Sequence, residues 1–329
     1  MSRLPRRQRG VALIMVLLAA ALATALAGGM MSRQSLMIER ASHHLGQQQA
    51  RSLALGAEVF AKQTLYRDWE EDRNENAFVD HPTEFWAQYA ATLPVASGVV
   101  EVQVNDRQGL LNLNGIVNPE GQVNILAKER FVRLLEVLEV TSLKVEQVID
   151  WIDANEEPSG AYGAEDGTYL SLDPPYRAAN RYFVDVSELR LLGPMTVEDY
   201  AALAPNVTAL PPGAEGLNIN MAPLAVLRSF HPEITEAKAE SLIEAREAEP
   251  FANVTDFLAR DELAALGLTQ DGLSVRTSFF DVATQVSVAD RTYKLVSSLY
   301  RGDDGKLSVI SRDAGEDTII TKERVTAEE

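Results

Sequence analysis

An uninterrupted apolar segment near the amino terminus constrains the fold more than any other feature of the chain. Residues 11–31, VALIMVLLAAALATALAGGMM, contain no charged side chain, and the next charge is Arg33. At a rise of 1.5 Å per residue, a helix of about 21 residues is roughly 32 Å long, which matches the apolar core of a bilayer. Because lipid offers the backbone no hydrogen-bond partners, a single span has to be helical. The segment therefore predicts one membrane-spanning helix.

The charges on either side of this segment predict its orientation. The first ten residues contain no acid and four arginines, Arg3, Arg6, Arg7 and Arg9. Basic flanks stay on the cytoplasmic side of a membrane, so the N-terminus is expected in the cytoplasm and the acidic rest of the chain on the other side of the membrane. The whole chain has a formal net charge of −18. That balance argues against nucleic acid as a partner, because phosphate binding needs a cationic surface.

A cleaved secretory signal peptide is the alternative to a retained helix. Such peptides have an apolar stretch of about 7–15 residues followed by a small-x-small cleavage site. Ala23 and Ala25 would offer such a site, but the apolar run is longer than this. The helical pattern also continues past Arg33, and residues 11–76 contain no proline. One long helix, first in lipid and then amphipathic, is favoured and is expected to end near residues 68–76.

Two groups of β-strand patterns flank a helical middle region. Strands are predicted at 99–104, 110–113, 279–288, 293–300 and 307–310. Helical spacing of apolar residues between these groups predicts helices at 127–138, 142–154, 188–192, 197–203, 222–230, 235–247 and 254–266. Suitable N-cap residues for four of these helices are Ser187, Thr196, Thr235 and Thr255.

These patterns predict an α+β fold in which a long N-terminal helix packs on an antiparallel sheet. A large α-helical domain is inserted between the strands, which is tolerable because loop-closure entropy rises slowly with length. A mostly polar tail is expected to be frayed. The expected divisions are a leader at 1–10, a transmembrane part at 11–31, the helix and first strands at 32–114, the insertion at 115–277, the last strands at 278–313 and the tail at 314–329.

The junction between the basic leader and the apolar segment resembles the signal of type IV pilin-like proteins. In those proteins a prepilin peptidase cuts after a glycine, and the new N-terminus is methylated. The resemblance implies cleavage after Gly10, with Val11 as the first mature residue. Most pilins and pseudopilins carry a glutamate at the fifth mature position, where this chain has Met15. A carboxylate in lipid is costly unless it is paired, so its absence suits a subunit with no neighbour ahead of it.

The resemblance covers nearly the whole chain, and three further motifs make it specific. They are DRQGLLNLN at 106–114, VIDWIDANEEPSGAYGAED at 148–166 with AANRYFVDVSELRLL behind it, and GLNINMAPLAVL at 216–227. With the missing glutamate, they resemble protein K of the type II secretion system, the large minor pseudopilin. The resemblance implies a subunit that caps the tip of the pseudopilus and helps to initiate its assembly. It also implies as partners the minor pseudopilins I, J and H, the prepilin peptidase, the inner-membrane assembly platform and inner-membrane lipid.

An acidic loop, residues 155–185, follows the helix predicted at 142–154, whose end adds Asp150 and Asp153. A structureless stretch this long is typical of either a functional or a disordered segment. Its crowded carboxylates suit a hard cation with six to eight oxygen ligands, and calcium tolerates irregular loops. The spacing is not that of an EF-hand, since Pro158 and Ala164 occupy the glycine and glutamate positions counted from Asp153. A solvated acidic loop without an ion remains the alternative.

The resemblance to protein K implies calcium at this loop. The predicted ligands are Glu165, Asp166 and Asp173, followed by Asp153, Glu157 and Asn180.

Catalysis is not expected. The chain has no cysteine, and therefore no disulfide, thiolate metal site or catalytic thiol. It also lacks a glycine-rich phosphate loop, a nucleophile elbow and a His–Glu metal motif. The alternative function is a membrane-anchored or secreted periplasmic calcium-binding domain without a filament role.

Overall fold

One helix of 67 residues, α1 (Arg9–Glu75), dominates the computed structural model. The structure describes residues 9–193, 195–214, 216–288, 291–315 and 320–326. The most apolar 18-residue window of α1 has a mean hydropathy of 2.5 and is 0% buried, as expected for a lipid-facing anchor. The helix ends where Asn76 turns left-handed (φ 55°) and the Ala77 N–H donates to the Asp72 carbonyl at 3.0 Å. The prediction of one long helix ending near 68–76 is confirmed.

Within the described residues, ten strands form one large sheet and two small ladders. The large sheet has six strands in the order β10-β1-β2-β7-β8-β9, and its neighbours from β1 to β9 are antiparallel. The strand bounds are β1 (Tyr89–Val95), β2 (Gly98–Asp106), β3 (Leu111–Asn112), β4 (Val207–Thr208), β5 (Leu217–Asn218), β6 (Leu273–Ser274), β7 (Phe279–Val288), β8 (Arg291–Arg301), β9 (Leu307–Asp313) and β10 (Glu323–Thr326).

The two strands at one edge of the large sheet were not predicted. The expectation of a frayed tail is wrong for residues 320–326, where Ile320 is buried and β10 pairs with β1. The Gln103 side-chain carbonyl holds this segment by accepting the N–H groups of Thr321 and Lys322 at 2.8 and 2.9 Å. Because β10 runs parallel to β1, the sheet is mixed rather than wholly antiparallel. Residues 316–319 and 327–329 of the tail lie outside the described residues.

Small side chains on one face of α1 allow the helix to lie close to the sheet. Ala50, Ala54, Ala57 and Ala61 recur every three or four residues, are buried, and continue to Leu65. They share one hydrophobic core with inward-facing sheet residues such as Val102 and Val282.

A second, larger core lies in the region between β2 and β7. Its side chains come from Phe131, Trp151, Phe230 and Phe257, among others. The helices that supply or surround this core are short, apart from two of 13 residues. Together with α2 (Phe85–Gln88), which precedes β1, the helices after α1 are α3 (Ile125–Val137), α4 (Val145–Ile152), α5 (Asp166–Tyr169), α6 (Val197–Leu203), α7 (Leu224–Arg228), α8 (Glu236–Ala248) and α9 (Val254–Leu258).

Several local predictions in this region need correction. Thr196 and Thr235 cap α6 and α8, but Ser187 and Thr255 are not N-caps. Asp185 and Asn253 fill those positions, because each side chain accepts an N–H of the following turn. Residues 186–191 form a 3-10 helix, and α9 ends at Leu258 rather than at 266. The strand expected at 110–113 shortens to β3, which pairs with β4 and not with the large sheet.

The inserted region leaves the sheet at the end remote from the membrane-spanning segment. At one end of β8, Arg291 donates to the Ser42 carbonyl of α1 at 3.5 Å. At the other end, Arg301 pairs with Asp68 at 3.1 Å, about 26 residues or roughly 39 Å further along α1. The chain leaves the large sheet after β2 and returns to it at β7. Both points lie beside Arg301, since Phe279 is paired with Tyr300. The insertion therefore lies at the far end of the sheet.

Candidate metal centre

The acidic loop folds back on one fully buried carboxylate of α4. Asp150 is 0% exposed and accepts the N–H of Ser159 at 3.0 Å and that of Ala164 at 2.7 Å. Gly163 permits this close approach, because a Cβ at that position would lie 2.5 Å from Asp150 Oδ2. The hydrogen bonds occupy the Asp150 oxygens, so this residue organises the loop.

Glu165 is the predicted ligand whose surroundings most need a cation. Glu165 is 5% exposed, and both of its carboxylate oxygens are buried without a hydrogen-bond partner. Burial, followed by the charges of Asp150 and Asp153, raises the pKa of Glu165 to about 7. A buried carboxylate without donors is unfavourable in its charged form. A bound cation would reverse that balance.

Three other residues of this region, which hydrogen bonds link to one another, supply further oxygen atoms. Asp153 is buried, and its Oδ1 accepts the Asn155 N–H at 3.3 Å. The Asn155 carbonyl accepts from Asn180 Nδ2 at 3.3 Å, while Asn180 Oδ1 is buried without a partner. Asn180 adopts a left-handed conformation (φ 44°), which asparagine tolerates better than most residues. Asn155 was not among the predicted ligands, although the Asp-x-Asn turn is its sequence signal.

The remaining predicted ligands are engaged elsewhere or are exposed. Asp166 forms an ion pair with Arg177 and accepts the Ala178 N–H at 3.0 Å. Asp173 and Glu157 have exposed side chains. Glu165, Asp153 and Asn180 thus keep oxygen atoms that no described cation pairs with, whereas Asp166 is paired with Arg177, and Asp173 and Glu157 are exposed.

This oxygen-rich group has the chemistry of a calcium site, although its acids are not tightly clustered. Carboxylate, amide and backbone oxygens are the ligands that calcium uses, and flexible loops can complete the shell. The two nearest arginines cannot neutralise the group, because Arg177 pairs with Asp166 and Arg181 with Glu188. The Tyr169 hydroxyl is also buried without a partner, and burial raises its pKa. Glu165, Asp153 and Asn180 are the residues that could hold the ion.

A second acidic group, the junction cluster, lies where the end of α1 meets the exit of the insertion. We define it as Asp68, Asp72, Asp80 and Glu84. Among the described residues, the one set of three acidic ligand atoms within 4.8 Å of one another belongs to Asp68, Asp80 and Glu84. These residues were not predicted as ligands, because they are spread over α1 and the segment after it and only the tertiary fold brings them together.

The junction cluster contains a cation of its own. Arg301 is 5% exposed and pairs with Asp80 at 2.5 Å and with Asp68 at 3.1 Å. It also donates to the Thr277 carbonyl at 2.7 Å, while the Thr277 N–H donates to Asp80. The guanidinium therefore ties α1, the segment after it and the exit of the insertion together. It fills the position that a metal ion would take.

Burial and mutual repulsion perturb the acids of the junction cluster. Burial, and then the charge of Asp80, raises the pKa of Asp72 to about 6. Burial followed by neighbouring acids also raises the pKa values of Asp68 and Glu84 well above their ordinary range. One arginine thus balances part of the cluster, and burial makes the charged forms of the remaining acids less favourable.

The predicted processing residues lie at the start of α1. The helix begins at Arg9, and Val11 is 52% exposed. Met15, at the position where pilins carry a glutamate, is also exposed. A helical, unpacked start is compatible with insertion in lipid.

Comparisons with known proteins give concordant results over most of the chain. The family described as Type II secretion system (T2SS), protein K, matches residues 109–212 and again residues 217–276. The type II secretion system protein K of Pseudomonas aeruginosa is 40% identical over 319 residues, covering 94% of each chain. That of Klebsiella pneumoniae is 34% identical and covers 90% of this chain and 93% of its own length.

A solved structure agrees with the fold. A chain in the crystal structure of the GspK-GspI-GspJ complex from the enterotoxigenic Escherichia coli type 2 secretion system superposes with a TM-score of 0.75. The two sequences are 26% identical, and the superposition covers 84% of this chain and 100% of the other.

Proposed function

Because the chain belongs to the type II secretion system protein K family and is a minor pseudopilin, we propose that it caps the tip of the pseudopilus and helps to initiate filament assembly. Its role in secretion would then be structural. The filament would help to export folded proteins through the outer membrane. The position of the insertion relative to the membrane anchor is the observation that carries this proposal.

The anchor sets the direction of the molecule. In the proposed topology, α1 crosses the inner membrane once with its N-terminus in the cytoplasm, because the four leader arginines stay on that side. The sheet and the insertion then lie in the periplasm. Cleavage by the prepilin peptidase after Gly10 would leave Val11 as a methylated N-terminus.

The insertion sits where the next subunit would have to dock. It leaves the sheet beside the Arg301–Asp68 pair, at the end of α1 that is remote from the anchor. A bulky domain at that end obstructs a subunit added above it, while the lower part of α1 stays free for neighbours below. Several apolar side chains of that lower part are exposed beyond the span, including Leu36, Met37 and Leu45. A helix face of this kind can pack against other hydrophobic helices.

Met15 fits the same position in a filament. A glutamate in lipid is stabilised when a neighbouring subunit neutralises it. A tip subunit has no neighbour ahead of it, so an uncharged side chain at this position avoids a cost that nothing would offset.

The proposed partners are the minor pseudopilins I and J, with H below them, and the inner-membrane assembly platform. The related GspK chain is part of a complex with GspI and GspJ, and the similarity of fold extends the same partners to this chain. Lipid of the inner membrane would surround residues 11–31 until the subunit enters the filament.

We also propose that the acidic loop binds calcium through Glu165, Asp153 and Asn180. The buried, unpartnered oxygens of Glu165 support this more strongly than the number of acids in the loop. Calcium would neutralise a group that no described arginine or lysine pairs with, and would thereby hold the loop on the insertion core.

Excision of the insertion tests the cap. The Arg107 N–H donates to the Phe279 carbonyl at 3.1 Å, so the two ends of the inserted region are adjacent and a short linker can join them. A variant lacking residues 115–277 should still fold its helix and sheet but should no longer block addition above it. Filament length and number, counted by electron microscopy, should therefore change. Unchanged filaments, with the variant incorporated and folded by circular dichroism, would contradict the cap.

Processing provides a separate test of the pilin-like signal. Mass spectrometry of the mature protein should show Val11 as the first residue, and Gly10→Ala should block that cleavage. A mature chain that begins near Gly28 would instead indicate an ordinary signal peptide and a domain without a filament role.

A further inference from the structure

A buried arginine without an acidic partner borders a cavity in the inserted region. Arg130, on α3, is 7% exposed, and its Nε has no hydrogen-bond partner. Its Nη2 donates to the Asp271 carbonyl at 3.2 Å, and its Cζ lies 4.9 Å from the centroid of the Phe230 ring. In the part of the chain that the structure describes, no carboxylate lies within 4.0 Å of this guanidinium. A buried charge without a partner is unusual, because desolvation is costly.

The charges around Arg130 do not compensate for its burial. Burial, and then the charge of Arg133, lowers the pKa of Arg130 to about 10, and the charge of Asp271 opposes them only in part. The Asp271 carboxylate accepts the Thr269 hydroxyl at 2.9 Å. Arg133 is itself engaged, because it pairs with Glu129 and donates to the Ser229 carbonyl. Arg130 is thus the charge left for a partner from outside.

The cavity beside Arg130 has a volume of about 420 Å³ and is largely apolar. Leu111, Leu126 and Leu217 line it together with Arg130, Asp271 and Gly272. Gly272 adopts a positive φ of 67°, and a Cβ there would lie 3.3 Å from Arg130 Nη1. Glycine therefore keeps the approach to the guanidinium open.

The amino end of α3 adds a second attraction for an anion. Asn124 and Ala127, from the cap and first turn of this 13-residue helix, also line the cavity. The first turn contains no acidic side chain, so nothing on the helix compensates the positive end of its dipole. The helix end and Arg130 thus act on the same space.

We propose that this cavity binds a carboxylate carried on a short apolar stem, with Arg130 as its ion-pair partner. One buried guanidinium matches one negative charge, and the leucine walls match an aliphatic chain. A phosphate would need more cations and fewer apolar contacts. Such a carboxylate can come from a fatty acid or from an acidic residue in an extended peptide, and both share this chemistry.

Methyl-resolved NMR of the full chain in detergent micelles tests the proposal with defined probes. Hexanoate should shift the methyl signals of Leu111, Leu126 and Leu217 in a saturable way, and should bind at least about tenfold more tightly than hexanamide. The capped peptides Leu-Glu-Leu and Leu-Gln-Leu form the second arm. Tighter binding of Leu-Glu-Leu than of hexanoate assigns a peptide source, and the reverse order assigns a fatty acid.

Two matched variants separate the charge of Arg130 from general effects on α3. Arg130→Gln should weaken hexanoate binding at least about tenfold, whereas Arg133→Gln should change it less than about twofold. If Arg130→Gln does not fold, the preference of the natural chain for hexanoate over hexanamide still decides the matter. Equal binding of the two probes, tighter binding of inorganic phosphate, or no shift with any probe would overturn the proposal.

Discussion

The junction cluster and the acidic loop are both crowded with carboxylates, but only the first contains a cation from the chain. At the junction, Arg301 is buried between Asp68 and Asp80. In the loop, Glu165 is buried to a similar extent, yet its two oxygens have no donor among the described residues. Close spacing of acids therefore does not by itself identify a metal site. What matters is whether the protein already supplies the compensating charge.

The contrast also separates two structural roles. The junction is complete within the chain, and it joins α1 to the exit of the insertion through the Thr277 backbone. In the acidic loop, burial raises the pKa of Glu165 to about 7, and the proposed calcium ion would favour its charged form. In a tip subunit, the first would hold the insertion in place, and the second would order one surface of it.

Removing the cation of the junction should have the largest effect. Arg301→Met leaves Asp68 and Asp80 without a cationic partner, and should lower the free energy of unfolding by about 3–5 kcal/mol. Urea unfolding of the detergent-solubilised chain would measure it. The control is Arg324→Met on β10, whose 52% exposed side chain pairs with Glu101 and should cost at most about 1 kcal/mol. Equal losses in the two variants would remove the contrast.

Calcium should affect the loop and leave the junction unchanged. At a concentration 100 times its dissociation constant, the ion should stabilise the chain by about 2.7 kcal/mol, seen as a rise in melting temperature that EDTA reverses. Glu165→Gln should abolish most of this response because it removes the charged ligand. Glu84→Gln, in the other acidic cluster, is the matched control and should keep it. A response lost in both variants, or in neither, would argue against a calcium site at Glu165.

The pH dependence of stability should reveal the acids that Arg301 leaves unbalanced. Asp72 has a pKa of about 6 in the fold, above the value of about 3.9 for an unfolded chain. A raised pKa means that the stability it contributes is present below about pH 4 and is lost as the pH rises through about 6. Asp72→Asn should make this pH-dependent loss of stability smaller by roughly 1–2 kcal/mol, a range that already allows for the partial exposure of Asp72. Unfolding would be measured from pH 4 to 8 with calcium saturating, and an unchanged slope would contradict the shift.

The smallest effect is expected for Glu84. Its burial among acids raises its pKa well above the ordinary value, so the side chain is protonated at neutral pH. Glu84→Gln replaces one neutral group with another of similar shape and should change stability at pH 7 by less than about 0.5 kcal/mol. A loss well above 1 kcal/mol in urea unfolding would mean that Glu84 is charged and paired.

The features that could be predicted from the sequence are those with local causes. The course of α1 follows from apolar spacing and the lack of proline, and the caps Thr196 and Thr235 follow from their side-chain chemistry. By contrast, β10 reads as a polar tail, because its strand depends on Gln103, more than 200 residues earlier in the chain. No local pattern carries such a contact.

The candidate calcium site could also be predicted only as far as local sequence patterns reach. The density of acids indicated the loop, but it could not rank Glu165 above Asp166, because Arg177 and the fold of the loop decide which one is paired. The junction cluster was missed for the same reason. Its members come from α1 and the segment after it, and only the tertiary fold brings them to Arg301 at the end of β8.

The most direct test of the proposed cap is the position of this chain along the filament. Pseudopili assembled with a tagged copy of this chain can be labelled with gold-conjugated antibody and viewed by electron microscopy. A cap predicts label at one end of each filament and none along its length. Label distributed along the filaments would show that subunits can add above the insertion, and would contradict the account.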